Sequence, residues 1–71
     1  MSEWGSAPAR RVLAALFRTA WAEKRRAGGS HCVLFCQGWP DYVWAFHDKD
    51  EIGPRVLAGI AKHTGIRPED I

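Results

Sequence analysis

This sequence lacks any segment that would place it in a membrane or mark it for export. Its longest apolar run near the N-terminus, from Val12 to Phe17, is flanked by arginines and is too short to span a bilayer. A signal-peptide cleavage pattern is also missing. We therefore expect a cytoplasmic protein that has no membrane partner and keeps its two cysteines as thiols.

Recognisable catalytic motifs are missing too. The chain has no Gly-rich phosphate loop, no Gly-x-Ser-x-Gly elbow and no His-Glu-x-x-His helix. Its three histidines are widely spaced, and a chain of 71 residues has little room to enclose a substrate pocket. We expect a protein that is not an enzyme and that uses no cofactor.

What the sequence does contain is typical of a small folded domain. Apolar residues make up 46% of the chain and include four tryptophans, whereas disordered segments are poor in aromatic residues. We expect one compact domain over residues 1–71, with residues 1–6 as a flexible lead. A core of this size contributes only about 3–5 kcal/mol, so a partner or a second copy would add stability. The net charge of +2 weakly favours an acidic partner.

Two helices are predicted from the spacing of apolar residues. The first covers residues 9–27 and ends at Gly28 and Gly29, because apolar residues recur at helical intervals: Leu13, Leu16, Phe17, Ala20 and Trp21. The second opens at Gly53-Pro54 and ends at Gly65. Its predicted apolar face comprises Val56, Leu57, Ile60, Ala61 and, at its end, Thr64.

A β-hairpin is predicted between the helices. Residues 30–37 and 42–47 are rich in β-branched and aromatic side chains, and residues 38–41 suit a tight turn. The expected fold class is therefore α+β, with the order α-β-β-α and a two-stranded antiparallel hairpin covered by both helices. Such a hairpin has two open edges, and homodimerisation through the sheet would cover one of them.

Aromatic residues alternate along the second strand of this hairpin. Tyr42, Trp44 and Phe46 point to one side of the sheet. The register decides which residues of the first strand join them: either Val33 and Phe35, or Cys32, Leu34 and Cys36. We expect the aromatic side to lie under the helices as the core. The alternative is an exposed platform for nucleic-acid bases, but the hairpin has no Lys or Arg to accompany it.

Two cysteines and two histidines belong to this segment. Cys32 and Cys36 would be about 13 Å apart along a strand at ~3.3 Å per residue, too far for a shared metal ion or a disulfide. A cross-strand pair of Cys32 with His47, which requires Gln37 to face Tyr42, would supply only two metal ligands. We expect no metal site, and we interpret the cysteines as core thiols.

Positive charge concentrates in the predicted first helix. Arg11, Arg18 and Arg25 are seven residues apart and would share one face of it, and Arg26 belongs to the same basic cluster. A row of guanidinium groups could bind phosphates or the carboxylates of an acidic protein. The alternative interpretation is a solvated face that keeps the protein soluble.

Residues 60–71 resemble the first part of a helix-turn-helix signature. Ala61 is followed four residues later by Gly65 and then by Ile66, with Ile71 where a second helix would return to the core. The resemblance implies a DNA-reading helix after the turn. That helix would consist of little beyond residues 68–71, which are acidic and too few for a major groove. We interpret the segment as a capped helix with a hydrophobic clasp.

The leading functional hypothesis is a small regulator or inhibitor that binds a larger protein or nucleoprotein complex. In size and character the chain is similar to phage and plasmid accessory proteins such as anti-CRISPR inhibitors. Arginine and tryptophan are favoured interface anchors, so the predicted contact residues are Arg11, Arg18, Arg25, Arg26, Trp39 and Trp4. The alternative hypothesis is a nucleic-acid-binding protein that uses the basic face of the first helix on phosphates.

Overall fold

A computed structural model describes residues 4–26, 28–29 and 31–71. In these residues the elements are β1 (Ala7–Pro8), α1 (Ala9–Arg18), β2 (Ala22–Arg26), β3 (Cys32–Phe35), β4 (Tyr42–Trp44), β5 (Glu51–Ile52), α2 (Pro54–Thr64) and a C-terminal 3-10 turn (Pro68–Asp70). The strands form an antiparallel sheet in the order β2-β3-β4 and a smaller sheet of β1 and β5. The fold is α+β, as predicted, but the order α-β-β-α is wrong. Neither helix is long and apolar enough to cross a membrane.

The first helix is shorter than predicted, which corrects the assignment of residues 9–27 to one helix. α1 ends at Arg18, and Ala20 adopts a positive φ of 85°, which an α-helix does not contain. The buried Trp21 then turns into the core, where its Nε1–H donates to the Thr64 carbonyl oxygen at 3.1 Å. Residues 22–26 have no large apolar side chain for a helix to bury, and they pair with β3 instead.

The buried face of α1 also differs from the predicted one. Phe17 was expected in the core, but it lies half exposed on the outer side of the helix. Trp21 was predicted as the last residue of this apolar face. It is buried in the core, but it reaches the core through the turn after α1 and not along the helix. The residues that α1 buries are Ala9, Val12, Ala15 and Leu16.

The predicted hairpin is present as β3 and β4 with shorter strands, and its register is one of the two that the sequence left open. Cys32 faces Trp44 and Leu34 faces Tyr42, so Gln37 does not face Tyr42 and the cross-strand pair of Cys32 with His47 does not form. This register places Cys32 and Leu34 of β3 on the aromatic side of the sheet. Trp44 is buried and Tyr42 packs against the core, which confirms that the aromatic side lies under the helices.

The second helix has the predicted bounds. Gly65 follows it in the left-handed region with φ of 75°, and its N–H donates to the Ala61 carbonyl oxygen at 2.8 Å. Val56 was predicted on the apolar face, but it is half exposed because it lies at the edge of the face that α2 buries, which is formed by Leu57, Ile60 and Thr64. Beyond the helix, Ile66 is buried and Ile71 packs against the core, which confirms the hydrophobic clasp.

The N-terminal segment joins the domain through β1. Ala7 pairs with Ile52 of β5, and the half-buried Trp4 packs against the core. Residues 1–3 of the predicted flexible lead lie outside the described residues. The first N–H groups of α1 are satisfied by the loop before β5, because Ala9 donates to the Asp50 carbonyl oxygen at 2.7 Å.

Candidate partner-binding surfaces

The three-stranded sheet buries one face and exposes part of the other. Cys32, Leu34 and Trp44 point inward and pack in one core cluster with residues of both helices. Side chains alternate along a strand, so the neighbours of these residues point outward. The outward side chains of β3 and β4 are Val33, Phe35 and Val43.

These three residues form one apolar cluster, which we call the outer sheet patch. Val33 pairs directly with Val43 and precedes Phe35 by two residues on β3, so all three are neighbours on one face. Val33 is 6% exposed although it lies outside the core cluster, which means that outer-face neighbours cover it. Phe35 and Val43 are 46% and 56% exposed. The patch therefore presents contiguous apolar surface to solvent.

The strand β2 adds a cation to the rim of the outer sheet patch. A β-bulge between Glu23 and Arg25 shifts the register, so that Arg25 pairs with Val33 and points outward with it. Glu23 and Arg26 share the opposite side, where they form an ion pair of 2.6 Å. Arg25 is exposed and makes no ion pair within the described residues. Its guanidinium group is therefore available to an acidic group of a partner.

The two edges of this sheet differ in charge. The edge strand β2 carries Lys24 and two arginines and contains the bulge, features that discourage pairing with a further strand. Lys24 forms an ion pair of 2.8 Å with Asp41, just before β4. The other edge strand, β4, is uncharged. Of the two edges, β4 is the one suited to an added strand.

The structure separates the predicted row of arginines. Arg11 and Arg18 lie on α1, whereas Arg25 and Arg26 lie on β2, because the helix ends at Arg18. Arg18 donates to the Asp70 carbonyl oxygen at 2.7 Å and so joins α1 to the C-terminal turn. The prediction that Arg11, Arg18 and Arg25 share one helical face is wrong.

The two tryptophans predicted as contact residues both have partners within the domain. Trp39 lies in the loop between β3 and β4 and packs against Trp21, with 6.3 Å between ring centroids. Part of its indole ring stays exposed. Trp4 lines a small cavity of about 120 Å³ together with Arg11 and Leu57. Of the two, Trp39 offers the larger surface to a partner.

A larger cavity of about 370 Å³, which we call the α1–sheet cavity, opens on the helix side of the sheet. It is lined by residues from α1, from the strands β2, β3 and β4, and from the loops that follow β2 and β4. Sequence reasoning missed this cavity because no local motif links these segments. Its lining is Leu13, Arg26, Gly29, Cys32, Trp44, Phe46, His47 and Asp48.

The cysteines are free thiols that belong to the packing of the domain. Cys32 is buried and Cys36 packs partly buried against the core, which confirms their interpretation as core thiols. Burial raises the pKa of the Cys32 thiol; nearby Arg26 lowers it by less, and Glu23 raises it. The thiol is thus protonated at neutral pH and is a poor nucleophile. Among the described residues, no three His, Cys, Asp or Glu side chains are grouped to hold a metal ion.

Comparison with known proteins provides no relative from which a function could be transferred. No family model matches the chain, and neither does a curated protein or a solved structure. We therefore infer function from the surfaces described above.

Proposed function

We propose that this protein is a small non-enzymatic regulator or inhibitor that binds a larger protein, alone or within a nucleoprotein complex, through the outer sheet patch. The observation that carries the proposal is the pairing of Val33 with Val43 beside Phe35. This arrangement leaves contiguous apolar surface on the sheet face opposite the helices.

Isolated apolar side chains on a surface need no partner, and this protein has such residues elsewhere. Phe17 and Val56 are 45% and 47% exposed, but each lies on a separate helix. The outer sheet patch differs because its members are adjacent, and because Val33 is already covered by its neighbours. Contiguous apolar surface with a polar rim is typical of an interaction site.

The partner that fits this surface presents an apolar area with a carboxylate at its edge. Arg25 lies directly opposite Val33 on the same face, so its aliphatic stem extends the patch. Its guanidinium group can donate two parallel hydrogen bonds to one carboxylate. Arginine beside buried apolar groups often contributes strongly to protein–protein affinity. The net charge of +2 also favours association with an acidic partner.

Two other partners would use the same part of the molecule in a different way. A nucleic acid could stack a base on Phe35 and place a phosphate near Arg25, although β3 and β4 contain no further basic residue. A second copy of the chain could pair along the uncharged edge of β4, which is the homodimer through the sheet that the sequence indicates as an alternative. Both are outcomes of the experiment that tests the proposed protein partner.

Site-specific photocrosslinking in the native host tests the proposal. A photoreactive phenylalanine analogue replaces Val43 in the full chain, and the same analogue replaces Val56 as the matched control. The two valines have similar exposure but lie on different elements. We expect light-dependent adducts with one protein from position 43 and not from position 56. That protein, once purified, should bind the wild-type chain directly.

Three results of this experiment would contradict a protein partner at the outer sheet patch. They are adducts with nucleic acid alone, adducts only with a second copy of the chain, and equal adducts from positions 43 and 56.

A further inference from the structure

The α1–sheet cavity has the size of a small-molecule site and a lining that is partly apolar and partly charged. Its volume of about 370 Å³ falls within the roughly 300–1,000 Å³ of known ligand pockets. Leu13 and Phe46 form its apolar walls, in front of the buried Cys32 and Trp44. The Phe46 ring contacts Trp44 edge to face with 5.0 Å between centroids, which fixes the orientation of that wall. A small apolar or aromatic group fits this part of the cavity.

The polar part of the cavity carries opposite charges. Arg26 makes its ion pair with Glu23 through one guanidinium nitrogen, so other N–H groups are left to bind an anion. The carboxylate of Asp48 is exposed and accepts no hydrogen bond within the described residues. A ligand with only a negative charge would be attracted by Arg26 but repelled by Asp48. A ligand with only a positive charge would be attracted by Asp48 but repelled by Arg26. A ligand with both charges would satisfy both side chains.

The loop that carries Asp48 is already held in place. The Asp48 carbonyl oxygen accepts a hydrogen bond of 3.1 Å from the Arg10 N–H. The Asp50 carbonyl oxygen accepts one of 2.7 Å from the Ala9 N–H. The His47 N–H donates to the Asp50 carboxylate at 2.9 Å. These bonds fix the rim of the cavity against α1, so a ligand would lose little affinity to ordering of the loop.

We propose that the α1–sheet cavity binds a small zwitterion with an apolar body, such as a free amino acid with an apolar side chain. Its carboxylate pairs with Arg26, its ammonium group pairs with Asp48, and its side chain lies between Leu13 and Phe46. This site shares no residue with the outer sheet patch, so the ligand would act as an effector or stabiliser separate from partner binding.

Three probes with the same ring test this assignment: phenylalanine, 3-phenylpropionate, which lacks the ammonium group, and 2-phenylethylamine, which lacks the carboxylate. Each is titrated into the full-length protein labelled with ¹⁵N. We expect saturable shifts at the amides of Gly29, His47 and Asp48 and at the Trp44 indole. Phenylalanine should bind about tenfold more tightly than either single-charge probe.

Two variants separate the contributions of the charged groups. Arg26→Gln should reduce the affinity for phenylalanine to that for phenylethylamine, and Asp48→Asn should reduce it to that for phenylpropionate. Arg55→Gln, on the exposed surface of α2, serves as the charge-matched control and should change nothing. The ¹⁵N spectrum of each variant verifies its fold. The proposal is overturned if no probe gives saturable shifts at these groups, or if all three probes bind equally well.

Discussion

The indole ring of Trp39 lies so close to Gly65 that a Cβ atom on this glycine would be 2.9 Å from Trp39 Cζ2. The same indole packs against Trp21, whose Nε1–H donates to the carbonyl oxygen of Thr64. The loop between β3 and β4 is therefore joined to the C-terminal end of α2 directly through Trp39 and Gly65, and indirectly through Trp21. Gly65 is required there for two reasons, the absence of a side chain and its φ of 75°.

Replacing Gly65 with alanine should destabilise the protein. The left-handed conformation alone costs a non-glycine residue about 1–2 kcal/mol, and displacement of the indole adds to that cost. Gly59→Ala is the control, because Gly59 lies inside α2 with nothing within 4 Å of its missing Cβ. That change should stabilise the helix by up to about 1 kcal/mol. Urea unfolding measures both, and equal stability of Gly65→Ala and wild type would contradict the close contact.

A substitution at the end of α1 should change the stability in opposite directions depending on whether the helix ends at Arg18 or continues through residue 20. Ala20 has a positive φ of 85°, so Ala20→Gly should stabilise the protein by about 1 kcal/mol through relief of backbone strain. If α1 continued through residue 20, the same change would instead cost about 1 kcal/mol. Ala14→Gly, at an exposed position inside α1, should be destabilising and serves as the reference. Thermal unfolding of the two variants gives the sign directly.

Features with local signals could be predicted from the sequence. The start of α2 at Pro54 and its end at Gly65 follow from the restricted φ of proline and the freedom of glycine. The alternation of Tyr42, Trp44 and Phe46 placed these side chains on one face, and the requirement for a core placed that face under the helices.

The end of α1 and the strand β2 depend on contacts that are distant in the sequence. Trp21 leaves the helical path because its indole binds Thr64, 43 residues further along the chain. The helical spacing of Leu13, Leu16 and Phe17 carries no information about that contact. The basic residues that followed were therefore assigned to a helix, although their backbone pairs with β3.

Only part of the candidate surfaces could be predicted from the sequence. The sequence left the hairpin register open, and the observed register is what places Val33, Phe35 and Val43 together on the outer face. Arg25 was predicted as a contact residue from a helical row that does not exist. It lies beside the outer sheet patch because a β-bulge points it outward with Val33.

The Cys32 thiol should be much less reactive in the folded protein than in the unfolded chain. Burial raises its pKa, so the folded state holds the thiol proton more tightly. This tighter proton binding stabilises the folded state. The stabilisation is fully present below the pKa that the Cys32 thiol has in the unfolded chain, and it is lost as the pH rises through the pKa of the thiol in the folded protein. In a Cys36→Ser background, an aromatic disulfide reagent at pH 8 should modify Cys32 slowly without urea and rapidly with it. Equal rates would contradict a buried thiol.

The most direct test of partner binding at the outer sheet patch uses the protein identified by crosslinking. Its affinity, once it is purified, is measured for two double variants of the chain. One is Phe35→Ser with Val43→Ser; the other is Phe17→Ser with Val56→Ser, which removes the same two residue types at similar exposure from the helices. We expect the first to weaken binding roughly 30-fold, equivalent to about 2 kcal/mol, and the second to leave the affinity nearly unchanged. Unchanged affinity of the first variant, or equal losses in both, would contradict binding through the outer sheet patch.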